Sequence, residues 1–279
     1  MEKQVFIQSN NKQLLGARLA KFAIEKNASK PIHIEILNVD ELPIFKKLNG
    51  KEYLFNETEI RVYDDTDLQY FTLTRFMPPE QMQFSGRAVV IDPDIFALTN
   101  IHTLLEHDMG EHAILACSKK GAWDSSVMLL DCEKLLHWRI ADIIERLVTK
   151  KIDYTTIMTL QKENVEELER AWNSLDELND HTKMLHTTNR LTQPWKTGLP
   201  IDFTRNKMQK FFGIIPRELI HKLLGKYQTR YQQHPNKDIE TFFFELTKDA
   251  LRCGAITKDY VQHEIESGHV RPDLFSHLS

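Results

Sequence analysis

One short apolar run constrains the fold more than any other part of the 279-residue sequence. Residues 88–91 read Ala-Val-Val-Ile, and they lie between Gly86-Arg87 and Asp92-Pro93-Asp94. An apolar run of this length between turn-forming residues is typical of a strand that is buried on both faces. The chain should therefore build a sheet that is covered on both sides.

The segments around this strand alternate between strand and helix patterns. Residues 5–7 and 31–37 are predicted strands, and residues 14–24 carry apolar side chains at helical spacing between them. This order predicts a βαβ unit with a right-handed crossover. Further strands are predicted at 113–117 and 127–131, followed by a helix over 132–148. Alternating elements across residues 1–150 predict an α/β sheet with helices on both faces.

The pattern changes after residue 150. Residues 154–180 are predicted as a helix with a solvated, ion-paired face around Glu163 to Asp176, residues 183–186 as a short strand, and residues 193–200 as an ordered loop. From residue 205 onward the apolar residues fall at helical spacing, and Phe242 to Phe244 are expected in the core of this part. We therefore predict a domain over 1–203 and an all-helical C-terminal appendage over 204–279.

Composition narrows the class of protein. The sequence has three cysteines and no Cys-x-x-Cys pair, which argues against a disulfide framework or a zinc knuckle and indicates a reducing compartment. No apolar run approaches the roughly 18 residues of a membrane span. The net charge of -4 gives no global field that would gather nucleic acid. We expect a soluble, cytoplasmic protein with no transmembrane segment and no nucleic-acid partner.

The candidate chemistry follows the buried strand. Asp92 and Asp94 come directly after it, and ligands of open α/β sheets collect at the carboxyl ends of strands, where two carboxylates can hold one divalent cation. Asp-Pro-Asp is also an ordinary turn sequence. His186 ends a predicted strand shortly before Gln193-Pro194-Trp195, and it is a suitable third ligand for manganese that bridges a diphosphate. We predict that Asp92, Asp94 and His186 converge.

Five segments in this order resemble the retaining family 8 glycosyltransferases, which include glycogenin and the bacterial lipopolysaccharide galactosyltransferases. The segments are residues 5–10 with the helix after them, 72–76, 86–94, 124–131 and 186–195. The resemblance covers residues 4–203 and implies a GT-A-type fold. It also implies that Asp92, Asp94 and His186 hold Mn²⁺, or Mg²⁺, which bridges the diphosphate of the donor.

The resemblance also implies roles for other residues. Arg75 would touch the donor, and Arg87 would lie near its sugar or phosphate. The family has acidic residues after its first strand, Asn-x-Gly before the apolar strand, a lysine before Pro-Trp and an Asp-Gln pair near the sugar. The positions that match or substitute for these four features are, in the same order, Gln8 with Asn10, Asp124, Lys196, and Asp153 with Tyr154. The resemblance implies that Asp124 and Asp153 are catalytic and that the donor is bound by Gln8, Asn10, Arg75, Arg87, Asp92 and Lys196.

Three functions are compatible with these residues. The first is a metal-dependent, retaining, hexosyltransferase-like enzyme that moves a sugar from a nucleotide-sugar donor, expected to be a UDP-sugar, to a glycan, lipid-linked or protein acceptor. The second is a catalytically weakened relative that acts as a binding or scaffold protein, and the departures from the family pattern favour it. The third is a generic nucleotide-binding α/β enzyme in which Asp92 and Asp94 hold magnesium.

Overall fold

A computed structural model describes residues 2–119, 121–203 and 228–278, together with two strands between the last two ranges. The strands, numbered in chain order, are β1 Lys3–Ser9, β2 His33–Asn38, β3 Glu52–Asn56, β4 Glu59–Val62, β5 Arg87–Ile91, β6 Ile95–Ala97, β7 Ile114–Lys119, β8 Ala122–Asp131, β9 Val165–Glu167, β10 Ser174–Leu175, β11 Met184–His186, β12 Lys210–Phe211 and β13 Ile215–Pro216. The α-helices are α1 Leu14–Asn27, α2 Pro43–Lys46, α3 Pro78–Gln81, α4 Ile101–Leu105, α5 Ile140–Val148, α6 Tyr154–Met158, α7 Lys237–Arg252 and α8 Lys258–Glu266.

Six strands form the central sheet in the order β2-β1-β5-β8-β7-β9. Strands β1, β2 and β5 run parallel, as expected for a βαβ unit with α1 as its crossover, whereas β8 is antiparallel to β5 and β7. The predicted buried strand is confirmed as β5, which lies in the interior of the sheet. Its residues Ala88 to Ile91 have no exposed surface.

The pleat of β5 separates two hydrophobic clusters. Val89 and Ile91 pack into the cluster on the side of α1, whereas Ala88 and Val90 pack into the cluster on the side of α5. Successive strand residues point to opposite faces, so a strand covered on both sides must be apolar at every position. The mixed α/β architecture predicted from the sequence is therefore present.

A second, smaller sheet has the strand order β10-β11-β6, and the chain enters it after the turn that follows β5. Strand β6 begins directly after Asp94, and β11 pairs antiparallel with it so that His186 faces Ile95. This register carries a residue from late in the sequence to the carboxyl end of β5.

The prediction for residues 132–180 is wrong in detail. Residues Cys132–Lys134 form a 3-10 helix, and the α-helix begins only at Ile140. Residues 154–180 contain only the short helix α6, which is followed by Leu160 in a left-handed backbone conformation, φ 53°. The chain then forms β9 beside β7, the 3-10 helix Arg170–Asn173 and β10. The apolar spacing looks helical, but pairing with the sheet overrides it.

The helical C-terminal region is present as α7 and α8. Phe243 and Phe244 are buried as expected, in the same cluster as α1. The two-residue strands β12 and β13 pair with each other. The tail predictions at 204–209, 212–214 and 217–227 lie outside the described residues, and the boundary at 203 stays a prediction. Over the described ranges, no helix combines the length and apolar character needed to cross a membrane.

Candidate metal centre

Asp92, Asp94 and His186 meet at the carboxyl end of β5. One ligand atom from each of them lies within 4.8 Å of the other two, so the predicted convergence is confirmed. His186 Nε2 is 3.6 Å from Asp94 Oδ1. Asp94 and His186 are buried, and the Asp92 side chain is 17% exposed. Two carboxylates and an imidazole are a donor set that suits manganese, magnesium or zinc.

Local backbone contacts explain this convergence. The Asp92 amide donates to Ser126 O on β8, which fixes the start of the turn. After the turn, the Thr187 amide and hydroxyl both donate to Asp94 O, at 3.0 and 3.2 Å. The end of β11 is thereby tied to the second aspartate itself.

Gly16 lets helix α1 approach the turn closely. A Cβ atom at this position would lie 2.7 Å from Pro93 O and 3.1 Å from the Trp195 ring. The helix therefore supports the Asp-Pro-Asp turn through a contact that only glycine permits. Trp195 in turn stacks on Phe243 of α7, with ring centroids 5.2 Å apart, and its carbonyl accepts from the Arg271 amide.

Polar neighbours hold one oxygen of each carboxylate. Asp92 Oδ1 accepts from Gln8 Nε2 at 2.7 Å and from the Arg75 guanidinium at 2.9 Å. Asp94 Oδ2 accepts from Gln193 Nε2 at 3.1 Å. These bonds orient both side chains while the second oxygen of each carboxylate stays available to a cation. The residues present therefore fit a divalent metal ion.

A neutral amide orients the histidine. His186 Nδ1 lies 2.8 Å from Asn173 Oδ1, and Asn173 Nδ2 donates to Ser126 Oγ at 3.0 Å. Because the Asn173 oxygen is an acceptor, Nδ1 must carry the ring proton, which leaves the lone pair of Nε2 directed toward Asp94. This is the tautomer that binds a metal through Nε2.

Burial shifts the pKa of all three groups. It raises the pKa of Asp92 to about 6, although the charge of Arg75 opposes the shift. Burial and then the negative charge of Asp92 raise the pKa of Asp94 to about 8. Burial lowers the pKa of His186 to about 4, so its imidazole is neutral at physiological pH. Arg75 supplies a positive charge to Asp92, whereas His186 supplies none, so a dication would favour the ionised form of Asp94.

Asp124 lies close enough to the cluster to act on it electrostatically, because its charge raises the pKa of both Asp92 and His186. Its Oδ1 accepts from the amide and hydroxyl of Ser126, and its Oδ2 accepts from Lys119 at 3.3 Å. These bonds hold the pKa of Asp124 below its usual range against the effect of burial.

The structure also brings Gln8, Asn10 and Arg75 to this region. The Asn10 side chain is fully buried at the end of β1 and donates to Leu68 O, while its Oδ1 has no hydrogen-bond partner among the described residues. Arg75 is buried and bonds to Ser125 Oγ as well as to Asp92. Arg75 therefore lies beside the cluster with its guanidinium engaged by protein groups, and its predicted contact with the donor stays a prediction.

Arg87, Lys196 and Asp153 are not brought into the cluster. Arg87 begins β5, about 16 Å from Asp92 at the rise of a strand, and donates to the carbonyls of Leu105 and His107. Lys196 follows Trp195 into the interior, where its ammonium binds Asp202 at 3.0 Å. Asp153 caps α6 by accepting from the Thr156 amide. Each of the three is engaged with protein groups outside the cluster, and their predicted roles toward the donor and the sugar stay predictions.

Sequence reasoning missed four polar side chains around the cluster, Ser125, Ser126, Asn173 and the amide of Gln193. The prediction of a helix over 154–180 includes the segment Asn173-Ser174-Leu175-Asp176. Its strand partner Met184–His186 begins nine residues after Leu175, so the local apolar spacing carries no signal for the extended conformation.

Neither a protein-family model nor a curated protein matches the sequence. Among solved structures, the chain is similar to the apo form of the glycosyltransferase GlyE from Streptococcus pneumoniae TIGR4, with a TM-score of 0.51 and 14% identity over 85% of this chain and 66% of that chain. A second GlyE structure gives a TM-score of 0.50 and 15% identity, over 84% and 67%. The chain thus spans about two thirds of GlyE. The likeness shows a shared fold, and the fold is of the GT-A type.

Proposed function

We propose that this protein transfers a sugar from a nucleotide-sugar donor and that a divalent metal ion, held by Asp92, Asp94 and His186, binds the donor diphosphate. The observation that carries the proposal is the convergence of these three ligands at the carboxyl end of β5. In open α/β sheets this edge is where ligands bind. The GT-A-type fold and the similarity to GlyE support the same chemistry.

The residues around the cluster have defined tasks in this proposal. A bound dication would supply electrostatic stabilisation of the negative charge that develops on the leaving diphosphate. Arg75 and Gln8 orient Asp92, and Gln193 orients Asp94. Asn10, buried at the end of β1, donates to Leu68 O and fixes the backbone beside the nucleotide site of the proposal.

We further propose UDP-sugar as the donor, manganese as the ion, retention of configuration and membership of family 8, all of which rest on the motif resemblance. A cytoplasmic location is proposed on the three cysteines, Cys117, Cys132 and Cys253, which are all free. We also propose that residues 1–203 form the glycosyltransferase domain and that residues 204–279 form its helical C-terminal appendage.

Calorimetry with UDP and Mn²⁺, followed by release of UDP from a panel of UDP-sugars, tests the function. The wild-type chain should bind UDP only with the metal and turn over at least one donor. Asp94→Asn should weaken metal binding, because it removes one of two negative charges while it keeps the side-chain size. Asp142→Asn, on the exposed face of α5, is the matched control and should behave as wild type. Metal-independent binding of UDP would contradict the proposal.

A binding or scaffold function is the second candidate. Two observations favour it. The Asp153 carboxylate caps α6 instead of facing the cluster, and the Arg75 guanidinium is engaged with Ser125 and Asp92. The two functions differ in turnover. If the wild-type chain binds UDP with manganese but releases none from any UDP-sugar, with or without acceptors, the binding function replaces the transferase.

A further inference from the structure

A cavity of about 680 Å³ is lined in part by the hairpin of β3 and β4. The hairpin belongs to neither larger sheet, and its register pairs Tyr53 with Arg61, both of which line the cavity. The cavity walls include none of the three candidate metal ligands. It is therefore a second site, of a size that encloses a ligand the size of a disaccharide or trisaccharide.

The cavity and the metal centre share one structural element. Thr72 lines the cavity and lies in the same 3-10 helix, Tyr70–Phe76, as Arg75, which binds Asp92. Thr72 Oγ1 is 2.7 Å from the hydroxyl of Tyr154, another wall residue. The charges of Arg75 and Asp92 both act on the pKa of Tyr154, which places this wall within electrostatic reach of the centre.

The walls combine aromatic rings with polar groups. Phe55 is held between the ring of Tyr154, with centroids 5.5 Å apart, and the Arg61 guanidinium, 3.2 Å from the Phe55 centroid. Tyr53 packs edge-on against Tyr154. These contacts fix the rings in place before any ligand arrives, which lowers the entropic cost of binding. Amphipathic rings and amide or hydroxyl groups around one cavity suit a ligand with apolar faces and many hydroxyls.

The charges on the walls balance. The walls carry three cationic residues, Lys51, Arg61 and Arg190, and three anionic residues, Glu59, Asp64 and Asp67, so their net charge is zero. A phosphorylated or otherwise anionic ligand would need an excess of cations, whereas a neutral ligand would not. We propose that this cavity is the acceptor subsite of the transferase and that it binds a neutral oligosaccharide, an inference that rests on the proposed function.

The test measures two ligands on the full chain. An array of neutral oligosaccharides probes the cavity, and calorimetry with UDP and Mn²⁺ probes the metal centre. Tyr53→Ala removes a wall of the cavity and should reduce the glycan signal roughly tenfold or more, as loss of a central aromatic contact does, while the UDP affinity changes less than about twofold. Ile60→Ala is the matched control, since Ile60 lies on the paired strand, is 51% exposed and is absent from the walls.

A second variant keeps the test valid if Tyr53→Ala does not fold. Gln69 is exposed at the rim, so Gln69→Trp narrows the entrance with little effect on the core, and it should also reduce glycan binding. Glycan binding unchanged in both variants would overturn the subsite, as would the absence of any bound glycan from a wild-type chain that binds UDP with manganese. Loss of UDP binding in these variants would assign the cavity to the nucleotide instead. Glycan binding without metal-dependent UDP binding would retain the cavity and reject the proposed function.

Discussion

Replacement of Asn173 should weaken metal binding although Asn173 is not itself a ligand. Its side-chain oxygen accepts from His186 Nδ1, and its nitrogen donates to Ser126 Oγ. In Asn173→Ala the imidazole loses the acceptor that holds its proton on Nδ1. The ring can then rotate or carry the proton on Nε2, and in either case the lone pair no longer faces Asp94.

The size of the effect follows from the geometry. Loss of a hydrogen-bond partner behind a metal-binding histidine costs about 10- to 100-fold in metal affinity, or about 1.4 to 2.8 kcal/mol. The bond lost is 2.8 Å long and buried, so we expect a value in this range. The free energy of unfolding should also fall by roughly 1 to 3 kcal/mol, because a buried N–H is left without a partner.

Titration with Mn²⁺, followed by calorimetry and by electron paramagnetic resonance of the free ion, measures this affinity without any turnover. Asn173→Asp keeps both the side-chain shape and an oxygen that accepts from His186 Nδ1. It should therefore retain most of the metal affinity. Asn100→Ala is the control. It removes the cap of α4, whose oxygen accepts from the His102 amide at 3.2 Å, and costs about 1 kcal/mol away from the cluster.

The outcome that refutes this reasoning is an Asn173→Ala chain that folds and binds Mn²⁺ as tightly as wild type. In that case the tautomer of His186 is fixed by other groups, or the histidine is not a ligand. Equal losses in Asn173→Ala and Asn100→Ala would show instead that metal affinity follows global stability.

Three further outcomes are expected. Gly16→Ala should lower Tm, because a methyl group 2.7 Å from the backbone oxygen of Pro93 outweighs the gain of about 1 kcal/mol in helix propensity; a higher Tm would show that the turn can move. Mn²⁺ affinity should rise from pH 6 to pH 8 as Asp92 and then Asp94 lose their protons, with no contribution from His186, whose pKa of about 4 keeps it neutral; isothermal titrations across this range test it. In chelator, Tm should fall as the pH rises from about 4 to about 8, because the unfolded chain releases these protons near pH 4 whereas folded Asp92 and Asp94 keep theirs to about 6 and about 8, and Mn²⁺ should reverse the fall.

The central sheet was predictable because its defining strand obeys a local rule. Ala88 to Ile91 must be apolar at every position to be covered on both faces, and Asp92 must then lie at the carboxyl end. The same rule places Arg87 at the opposite end of β5 from Asp92, and its role near the sugar or phosphate stays a prediction. The direction of Lys196 was not predictable, because packing of the neighbouring Trp195 against Gly16 and Phe243 decides it.

Asn173 shows why part of the candidate site could not be predicted. The segment that contains it has helical apolar spacing, with Leu168 and Trp172 both buried, and only pairing of β9 with β7 and of β10 with β11 makes it extended. The partners in those pairs lie elsewhere in the sequence, so local propensity carries no record of them. The cavity lined in part by the β3–β4 hairpin depends on the same kind of long-range placement, since its walls come from the hairpin, the 3-10 helix Tyr70–Phe76, α5, α6 and Arg190.

The energetics of the cluster favour a ligand over a purely structural role. Burial and then repulsion by Asp92 raise the pKa of Asp94 to about 8, so the stability of the folded chain falls as the pH rises toward 8, where only the unfolded chain has lost this proton. The Arg75 guanidinium pairs with Asp92 and not with Asp94, since its other bonds go to Gln8 and Ser125, and the neutral His186 supplies no charge. A fold that needed only a turn at this position could use uncharged residues without that cost. A dication held by both carboxylates and the imidazole would offset their repulsion. Metal binding would therefore restore the stability that the folded chain loses without metal, as the proposed function requires.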